Sequence, residues 1–237
     1  MPPRAIFFDL DDTLLDTSGG VQVSWELACR ESAAVLDCEW QTIRDAVIKD
    51  MMAFWRDEAA VEHWRTRLSD AREHVIAQTF EARGWDPVLV KPLSDRYGTE
   101  RDSRLRMFDD ALETLESLRS RGFKLGLLTN GPADMQRGKL RRFDLAGHFD
   151  VVVVEGEFGR GKPHREVFEH ALATVGVAAS DAWHVGDNLY ADIGGAQAAG
   201  LHATWIHRDR LELKEGGQWI PDRVIGHLPE LRAALDS

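Results

Sequence analysis

Short runs of apolar residues recur along this chain, and loop-forming or acidic residues end each run. Continuous apolar runs of this length are typical of strands that are buried on both faces of a sheet. They predict strands at Ile6–Phe8, Lys124–Leu128, Val151–Val154, Trp183–Val185 and Ala203–Ile206, and a weaker one at Arg223–Ile225. Helical patterns lie between them, so the predicted fold class is α/β with a doubly wound parallel sheet.

One long segment, 17–96, interrupts this alternation because it contains no strand-like run. Its apolar residues follow helical spacing instead, as in Trp25, Cys29, Ser32 and Leu36. We therefore expect two domains: an α/β domain made of 1–16 plus 97–237, and a helical-bundle domain over 17–96 inserted into it.

Charge and hydropathy exclude several classes of partner. The 237 residues carry a formal net charge of −11, which disfavours nucleic acid and anionic membranes. The longest uncharged apolar runs fall far short of the roughly 20 residues that cross a bilayer. With no secretion signal visible, and with Cys29 and Cys38 interpreted as buried free thiols, we expect a cytoplasmic protein. Nothing in the sequence indicates its oligomeric state.

Acids follow the first predicted strand, where Asp9, Asp11 and Asp12 stand close together. In a doubly wound fold ligands bind beyond the carboxyl ends of the strands. Asp is also a favoured turn and capping residue, so the cluster alone does not decide between a turn and a functional site.

The other strand ends carry complementary groups. Thr129, Asn130 and Gly131 follow the second core strand and offer donors to an anion. Lys162 directly precedes a predicted helix, where a cation is unfavourable unless an anion accompanies it. Helix capping explains some of these residues singly, but it does not predict them as a set.

Two more acids, Asp187 and Asp192, follow the fourth core strand. Magnesium binds one or two carboxylates, and waters and phosphate oxygens complete its coordination. Asp9 and Asp187 could supply such carboxylates from neighbouring strands.

Taken in order, these residues resemble the four motifs of the haloacid dehalogenase superfamily, in the branch with a helical cap inserted after the first strand. Asp9 and Asp11 match its DxDxT pair and Thr129 its hydroxyl. Lys162 matches the basic residue, and Asp187 with Asp192 matches the last acidic motif. The resemblance covers essentially the whole chain.

The resemblance implies a magnesium-dependent phosphatase that acts on a small phosphate ester. Asp9 would be the nucleophile that forms an aspartyl phosphate, and Asp11 the general acid and base. Thr129 and the amides near Asn130 and Gly131 would hold phosphoryl oxygens, while Lys162 would neutralise charge.

For the cofactor, the resemblance implies that Mg²⁺ is bound by Asp9, the backbone carbonyl of Asp11, and Asp187. Asp192 would orient Lys162 or the waters of the metal. The helical insert would act as a lid that selects the leaving group. The wording of Gly186–Gly200 is similar to phosphatases of sugar phosphates or nucleoside monophosphates.

Alternatives remain open at this point. A phosphomutase shares every core residue, and a phospho-accepting receiver module also combines acids, a hydroxyl and a lysine at strand ends. Receivers are shorter and carry no helical cap. Dehalogenases of the superfamily lack the second acid, so Asp11 argues against dehalogenation. A phosphonatase would be expected to use a lysine of the insert, such as Lys49 or Lys91.

Overall fold

The computed structural model describes residues 3–208 and 218–235. It divides into two compact units, one made of 1–16 and 107–237 and the other of Thr17–Arg106. The helical unit thus ends at Arg106 and not at the expected Arg96. The physical reason is that the helix beginning at Val90 continues without a break to Arg104.

The α/β unit is built on a parallel sheet. Its strands are β1 (Ala5–Phe8), β4 (Lys124–Thr129), β5 (Val151–Val154), β6 (Ala182–Gly186), β7 (His202–Ile206) and β8 (Arg223–Ile225). In the described residues they lie in the order β5-β4-β1-β6-β7-β8, and every pair is parallel. Two short strands, β2 (Leu15–Asp16) and β3 (Arg106–Met107), flank the inserted unit along the chain.

Helices cover this sheet. They are α6 (Ala111–Ser120), α7 (Ala133–Arg142), α8 (Glu155–Phe158), α9 (Arg165–Val175), α10 (Gly195–Ala198) and α11 (Leu228–Ala234), and a wide helical turn over Leu189–Gly194 precedes α10. Helix α9 packs on β4 and β5, and α10 packs on β7. The doubly wound parallel α/β fold predicted from the sequence is confirmed.

The central strand is buried on both faces. Ile6, Phe7 and Phe8 have no exposed surface, as their continuous apolar run predicts. Gly126 of the neighbouring strand leaves room for Phe7, because a Cβ there would lie 2.4 Å from the Phe7 ring. Strand β1 lies inside the sheet, with β4 on one side and β6 on the other.

The helical unit contains α1 (Val21–Leu36), α2 (Trp40–Phe54), α3 (Glu58–Trp64), α4 (Leu68–Glu81) and α5 (Val90–Arg104). Its core includes Trp25, Cys29, Ile43, Val47 and Phe80. Cys29 is buried as expected, whereas Cys38 is only half-buried, and both thiols are free. Among the described residues, none of the helices combines the length and apolar character that crossing a bilayer requires.

Candidate active site

Three neighbouring strands deliver the polar residues to one edge of the sheet. Asp9 directly follows β1, Thr129 is the last residue of β4, and Asp187 directly follows β6. Phe8 pairs in register with Leu127 on one side and with Val185 on the other. Because parallel strands end at the same edge, the three side chains converge beyond the carboxyl end of the central strand.

A tight turn presents the acids after β1. The Asp9 amide donates to the carbonyl of Val185 over 2.9 Å, which continues the sheet pairing by one residue. Asp12 has a φ of 58°, in the left-handed region that Asp tolerates better than most residues. Its amide donates to the carbonyl of Leu15 over 2.7 Å, so the chain folds back directly after Asp11.

Lys162 lies at the centre of the site. Its Nζ donates to Oδ1 of Asp9 over 2.5 Å and to Oδ1 of Asp192 over 2.6 Å, and the side chain is 2% exposed. Burial alone would lower the pKa of Lys162, but the carboxylates of Asp192 and Asp9 outweigh it and raise that pKa. The lysine is therefore a buried cation, and it has the anionic partners that its place before a helix requires.

The two partners of Lys162 respond differently to burial. Burial raises the pKa of Asp9 well above its usual range, against the attraction of Lys162, because Asp192, Asp187 and Asp11 add further negative charge. For Asp192 the burial is outweighed by Lys162 and His184, which lower its pKa. The site thus holds more negative charge than Lys162 neutralises, and a further cation would relieve the excess at Asp9.

Asp192 is held by three donors. Lys162 Nζ and His184 Nε2 contact Oδ1, and the backbone amide of Asn188 donates to Oδ2 over 3.0 Å. The side chain lies across Gly186, where a Cβ would come within 2.3 Å of the Asp192 carboxyl carbon. Asp192 thus contacts Lys162 directly, and its role in orienting that lysine stays a prediction.

A group of three carboxylates can hold a metal ion. One oxygen each from Asp9, Asp187 and Asp192 lie within 4.8 Å of one another. Burial, then the charges of Asp192 and Asp12, raises the pKa of Asp187 to about 7. Hard carboxylate oxygens on a half-buried, negatively charged site are the donor set that Mg²⁺ accepts.

Asn130 connects the loop after β4 with the loop that carries Lys162. Its amide Nδ2 donates to the carbonyl of Lys162, and the backbone amide of Lys162 donates to its Oδ1, both over 2.8 Å. The side chain therefore positions the lysine loop. Gly131 differs from the expectation that its amide holds a phosphoryl oxygen, because this amide already donates to Oε2 of Glu155 over 2.9 Å. Glu155, the buried first residue of α8, accounts for the difference.

Helix α7 contributes two residues that the motifs do not include. Lys139 Nζ lies 2.7 Å from both carboxylate oxygens of Asp11. Gln136 Nε2 donates to Oδ2 of Asp11, to Oγ1 of Thr129 and to the carbonyl of Asn130. Neither residue was singled out from the sequence, although their spacing of three along a helix that starts at the strand end places them on one face.

His184 is the third residue that the sequence did not indicate. It belongs to the apolar run of β6 and has no exposed surface. A histidine inside a buried strand, close in sequence to the last acidic motif, was the signal that could have found it.

These groups line a cavity of about 230 Å³. Its lining residues are Asp9, Asp11, Asp12, Asn130, Lys162, Asp187, Asn188, Ala191 and Asp192. The cavity is small and polar and holds carboxylates of unequal pKa around one lysine. Several carboxylates, one buried lysine and a carboxylate group that can hold a metal ion thus lie together at one strand edge.

Comparisons with known proteins agree with this geometry. Residues 3–200 match the family described as haloacid dehalogenase-like hydrolase. A phosphoserine phosphatase of Thermus thermophilus is 39% identical over 68% of this chain, and the match spans 63% of that relative's own length. An N-acylneuraminate-9-phosphatase of Mus musculus is 30% identical over 99% of this chain and 94% of its own.

Among solved structures, a HAD phosphatase from Thermococcus onnurineus superposes with a TM-score of 0.70 at 28% identity, covering 98% of this chain and 97% of its own. Fold and family match together define a hydrolase of the haloacid dehalogenase type. The chain belongs to the haloacid dehalogenase-like hydrolases, and the resemblance found in its motifs is confirmed.

Proposed function

We propose that the chain hydrolyses phosphate monoesters of small metabolites through an aspartyl phosphate on Asp9, with Mg²⁺ as cofactor. The coarser part of this statement, a phosphatase of the haloacid dehalogenase superfamily, is borne out by the family match and by relatives that are named phosphatases. The intermediate, the metal and the substrate class are the proposal.

The observation that carries the proposal is the environment of Asp9. Its carboxylate contacts the buried Lys162 and has Asp187 and Asp192 within metal-binding distance. In the first step an Asp9 oxygen bonds to phosphorus while the bond to the leaving oxygen breaks, and Asp11 gives that oxygen its proton. In the second step water attacks phosphorus, Asp11 takes a proton from it, and phosphate leaves Asp9.

Each charged group then has a task. Asp9 and Asp187 would hold the metal, together with the backbone carbonyl of Asp11. Bound Mg²⁺ supplies the positive charge that lets a carboxylate approach an anionic phosphate. Lys162 remains protonated and compensates the charge of the phosphoryl oxygens, and Asp192 keeps it in place.

The second carboxyl, Asp11, favours a phosphatase over a dehalogenase, because halide departure needs no proton donor. A phosphomutase would use the same residues and differs only in the final acceptor of the phosphoryl group. Release of inorganic phosphate distinguishes the two. A receiver-like regulatory module would form the aspartyl phosphate and turn over slowly, so the steady-state rate separates it.

For the substrate we propose a sugar phosphate, a nucleoside monophosphate or a similarly small phosphorylated metabolite. The names of two relatives, a phosphoserine phosphatase and an N-acylneuraminate-9-phosphatase, agree with a small phosphate ester. A panel of such esters, ranked by kcat/KM from phosphate release, would identify the class.

The central test is Asp9→Asn. We expect it to abolish Mg²⁺-dependent release of phosphate from 4-nitrophenyl phosphate, while Asp134→Asn, an exposed acid of α7, retains wild-type rates. Beryllium fluoride or labelled phosphate should mark the peptide that contains Asp9. Label on another residue, or turnover by Asp9→Asn, would overturn the proposal.

A further inference from the structure

We propose that Gln136 and Lys139 of α7 are positioning residues that hold Asp11 and Thr129 for reaction. This inference rests on the proposed function, since it concerns the acid and base of that reaction and a phosphate-binding hydroxyl. It adds two residues, outside the four motifs, on which the proton transfer depends.

The first observation is the double contact of Lys139. Its Nζ lies 2.7 Å from Oδ1 and 2.7 Å from Oδ2 of Asp11, and the lysine side chain is only 14% exposed. Asp11 stands in a turn and its side chain is 33% exposed, so packing alone does not restrict its rotamer. The ion pair with Lys139 restricts it, because a carboxylate bonded through both oxygens cannot rotate freely.

The second observation is that one buried amide joins Asp11 to Thr129. Gln136 is 1% exposed, and the two hydrogens on its Nε2 are shared among three acceptors: Asp11 Oδ2 at 3.0 Å, Thr129 Oγ1 at 2.5 Å and the carbonyl of Asn130 at 2.8 Å. Its Oε1 has no hydrogen-bond partner among the described residues. The opposite amide orientation would direct Oε1 at a carboxylate and a carbonyl, so these acceptors determine the orientation.

This geometry has a consequence for Thr129. An amide nitrogen donates and cannot accept, so the Thr129 oxygen receives the bond from Gln136. The hydroxyl hydrogen of Thr129 then points elsewhere and is available to a phosphoryl oxygen. Gln136 thus fixes the direction of a donor that the buried Thr129 could otherwise turn away from the site.

The acceptor sites of Asp11 can also be assigned. A carboxylate has about four acceptor sites on its two oxygens. Lys139 and Gln136 together make three contacts with it, two of them to Oδ2. One site on Oδ1 is left for the proton that Asp11 gives to the leaving oxygen and takes back from the attacking water. We infer that α7 delivers Asp11 with that site directed to the reaction.

Replacing Gln136 and replacing Lys139 should therefore have different effects on the reaction. Lys139 acts on Asp11 alone, so its loss should matter most where the leaving group needs a proton. Gln136 acts on Asp11 and Thr129, so its loss should also weaken phosphate binding. A merely structural role would not produce this division.

The experiment compares phenyl phosphate with 4-nitrophenyl phosphate, which has a similar shape and a much better leaving group. Lys139→Met should lower kcat/KM for phenyl phosphate by about 10-fold or more, a part of the 100-fold to 10,000-fold that general acid catalysis typically supplies. For 4-nitrophenyl phosphate the loss should stay near threefold. Lys139→Arg, which keeps the charge and the paired donors, should recover most of the rate.

Gln136→Leu should raise KM and lower kcat for both esters, because the Thr129 hydroxyl is released in either case. The matched control is Arg141→Met, which removes an exposed cation from the same helix and should leave both rates within about twofold of wild type. Far-ultraviolet circular dichroism and thermal unfolding establish that each variant is folded, and Lys139→Gln serves as a second variant.

Equal loss on both esters in Lys139→Met, or no loss on either, would overturn the inference. So would the same selective loss in Arg141→Met, or failure of both Lys139→Met and Lys139→Gln to fold while Arg141→Met folds. Failure of the proposed function would show differently, because wild-type enzyme would then release no phosphate or Asp9→Asn would remain active.

Discussion

His184 Nε2 lies 2.9 Å from Oδ1 of Asp192, the same oxygen that accepts the hydrogen bond from Lys162. Burial lowers the pKa of His184, although Asp192 acts in the opposite direction. The imidazole is therefore neutral near pH 7, and the ionised Asp192 requires the hydrogen to be on Nε2. Nδ1, which has no hydrogen-bond partner in the described part of the chain, is then the unprotonated nitrogen.

Replacing His184 should weaken both stability and the orientation of Lys162. A hydrogen bond to a charged group contributes about 1.5–3 kcal/mol, so we expect His184→Leu to lower the free energy of unfolding by about that amount in urea titrations. His148→Leu, at a half-buried histidine of the same unit, is the control. A loss no greater than that of the control would contradict the assignment.

The same histidine predicts a pH effect on stability. An unfolded His takes up a proton below its ordinary pKa of 6.5, whereas the buried His184 resists protonation. Its contribution is thus fully present above pH 6.5 and declines as the pH falls below that value. Urea titrations at pH 7.5 and 5.5 should show a smaller decline for His184→Leu than for wild type. Equal declines would show that other groups govern acid unfolding.

The sequence predicted the parallel strands because their apolar runs are short, continuous and ended by loop-forming or acidic residues. It predicted the convergence of Asp9, Thr129 and Asp187 because parallel strands end at one edge. It did not indicate Gln136 and Lys139, because their contacts with Asp11 depend on the direction that α7 takes after β4. It also assigned the Gly131 amide to a phosphoryl oxygen, because no local sequence feature shows that Glu155, at the start of α8, accepts a hydrogen bond from this amide.

Metal binding should depend on pH through Asp187 and Asp9. The pKa of Asp187 is raised from its ordinary 3.8 to about 7, so the metal-free protein loses stability as the pH rises through that range. Mg²⁺ competes with the bound protons, and its apparent affinity should fall roughly tenfold per pH unit below 7.

Thermal unfolding measures this directly. We expect Mg²⁺ to raise Tm more at pH 8 than at pH 6, and Asp187→Asn to abolish the increase at both pH values. Asp134→Asn should behave as wild type, because this exposed acid lies on the surface of α7. An increase in Tm that is independent of pH would show that the carboxylates are already ionised without metal.

The hydrogen bonds between Asn130 and the Lys162 backbone predict that replacing Asn130 lowers both stability and activity. Asn130→Ala leaves the backbone amide and carbonyl of Lys162 without their side-chain partner. An unsatisfied buried polar group costs about 1–3 kcal/mol, so we expect the unfolding free energy to fall within that range and kcat to fall with it. Asn130→Asp keeps the acceptor and loses the donor, and should give an intermediate loss. If added negative charge made Asn130→Asp as damaged as Asn130→Ala, excess salt should recover part of the loss in Asn130→Asp alone. Equal losses that salt does not change would contradict the role of the Asn130 oxygen as acceptor.

The two free thiols should differ in reactivity towards a thiol reagent. Burial raises the pKa of Cys29 to about 12, and the side chain is buried in the core of the helical unit. Burial also raises the pKa of Cys38, but this thiol is half-buried and can be reached. Because the thiolate is the reactive form, native protein should titrate with one equivalent of Ellman's reagent quickly and the second only after unfolding.

Variants assign the two phases. Cys38→Ser should remove the fast phase and leave a single thiol that reacts only in denaturant, whereas Cys29→Ala should retain the fast phase. A slow phase that accelerates with urea below the unfolding midpoint would indicate local opening around Cys29. Rapid modification of both thiols in native buffer would contradict the burial of Cys29, and with it the packing of α1 against Ile43 and Phe80 in the helical core.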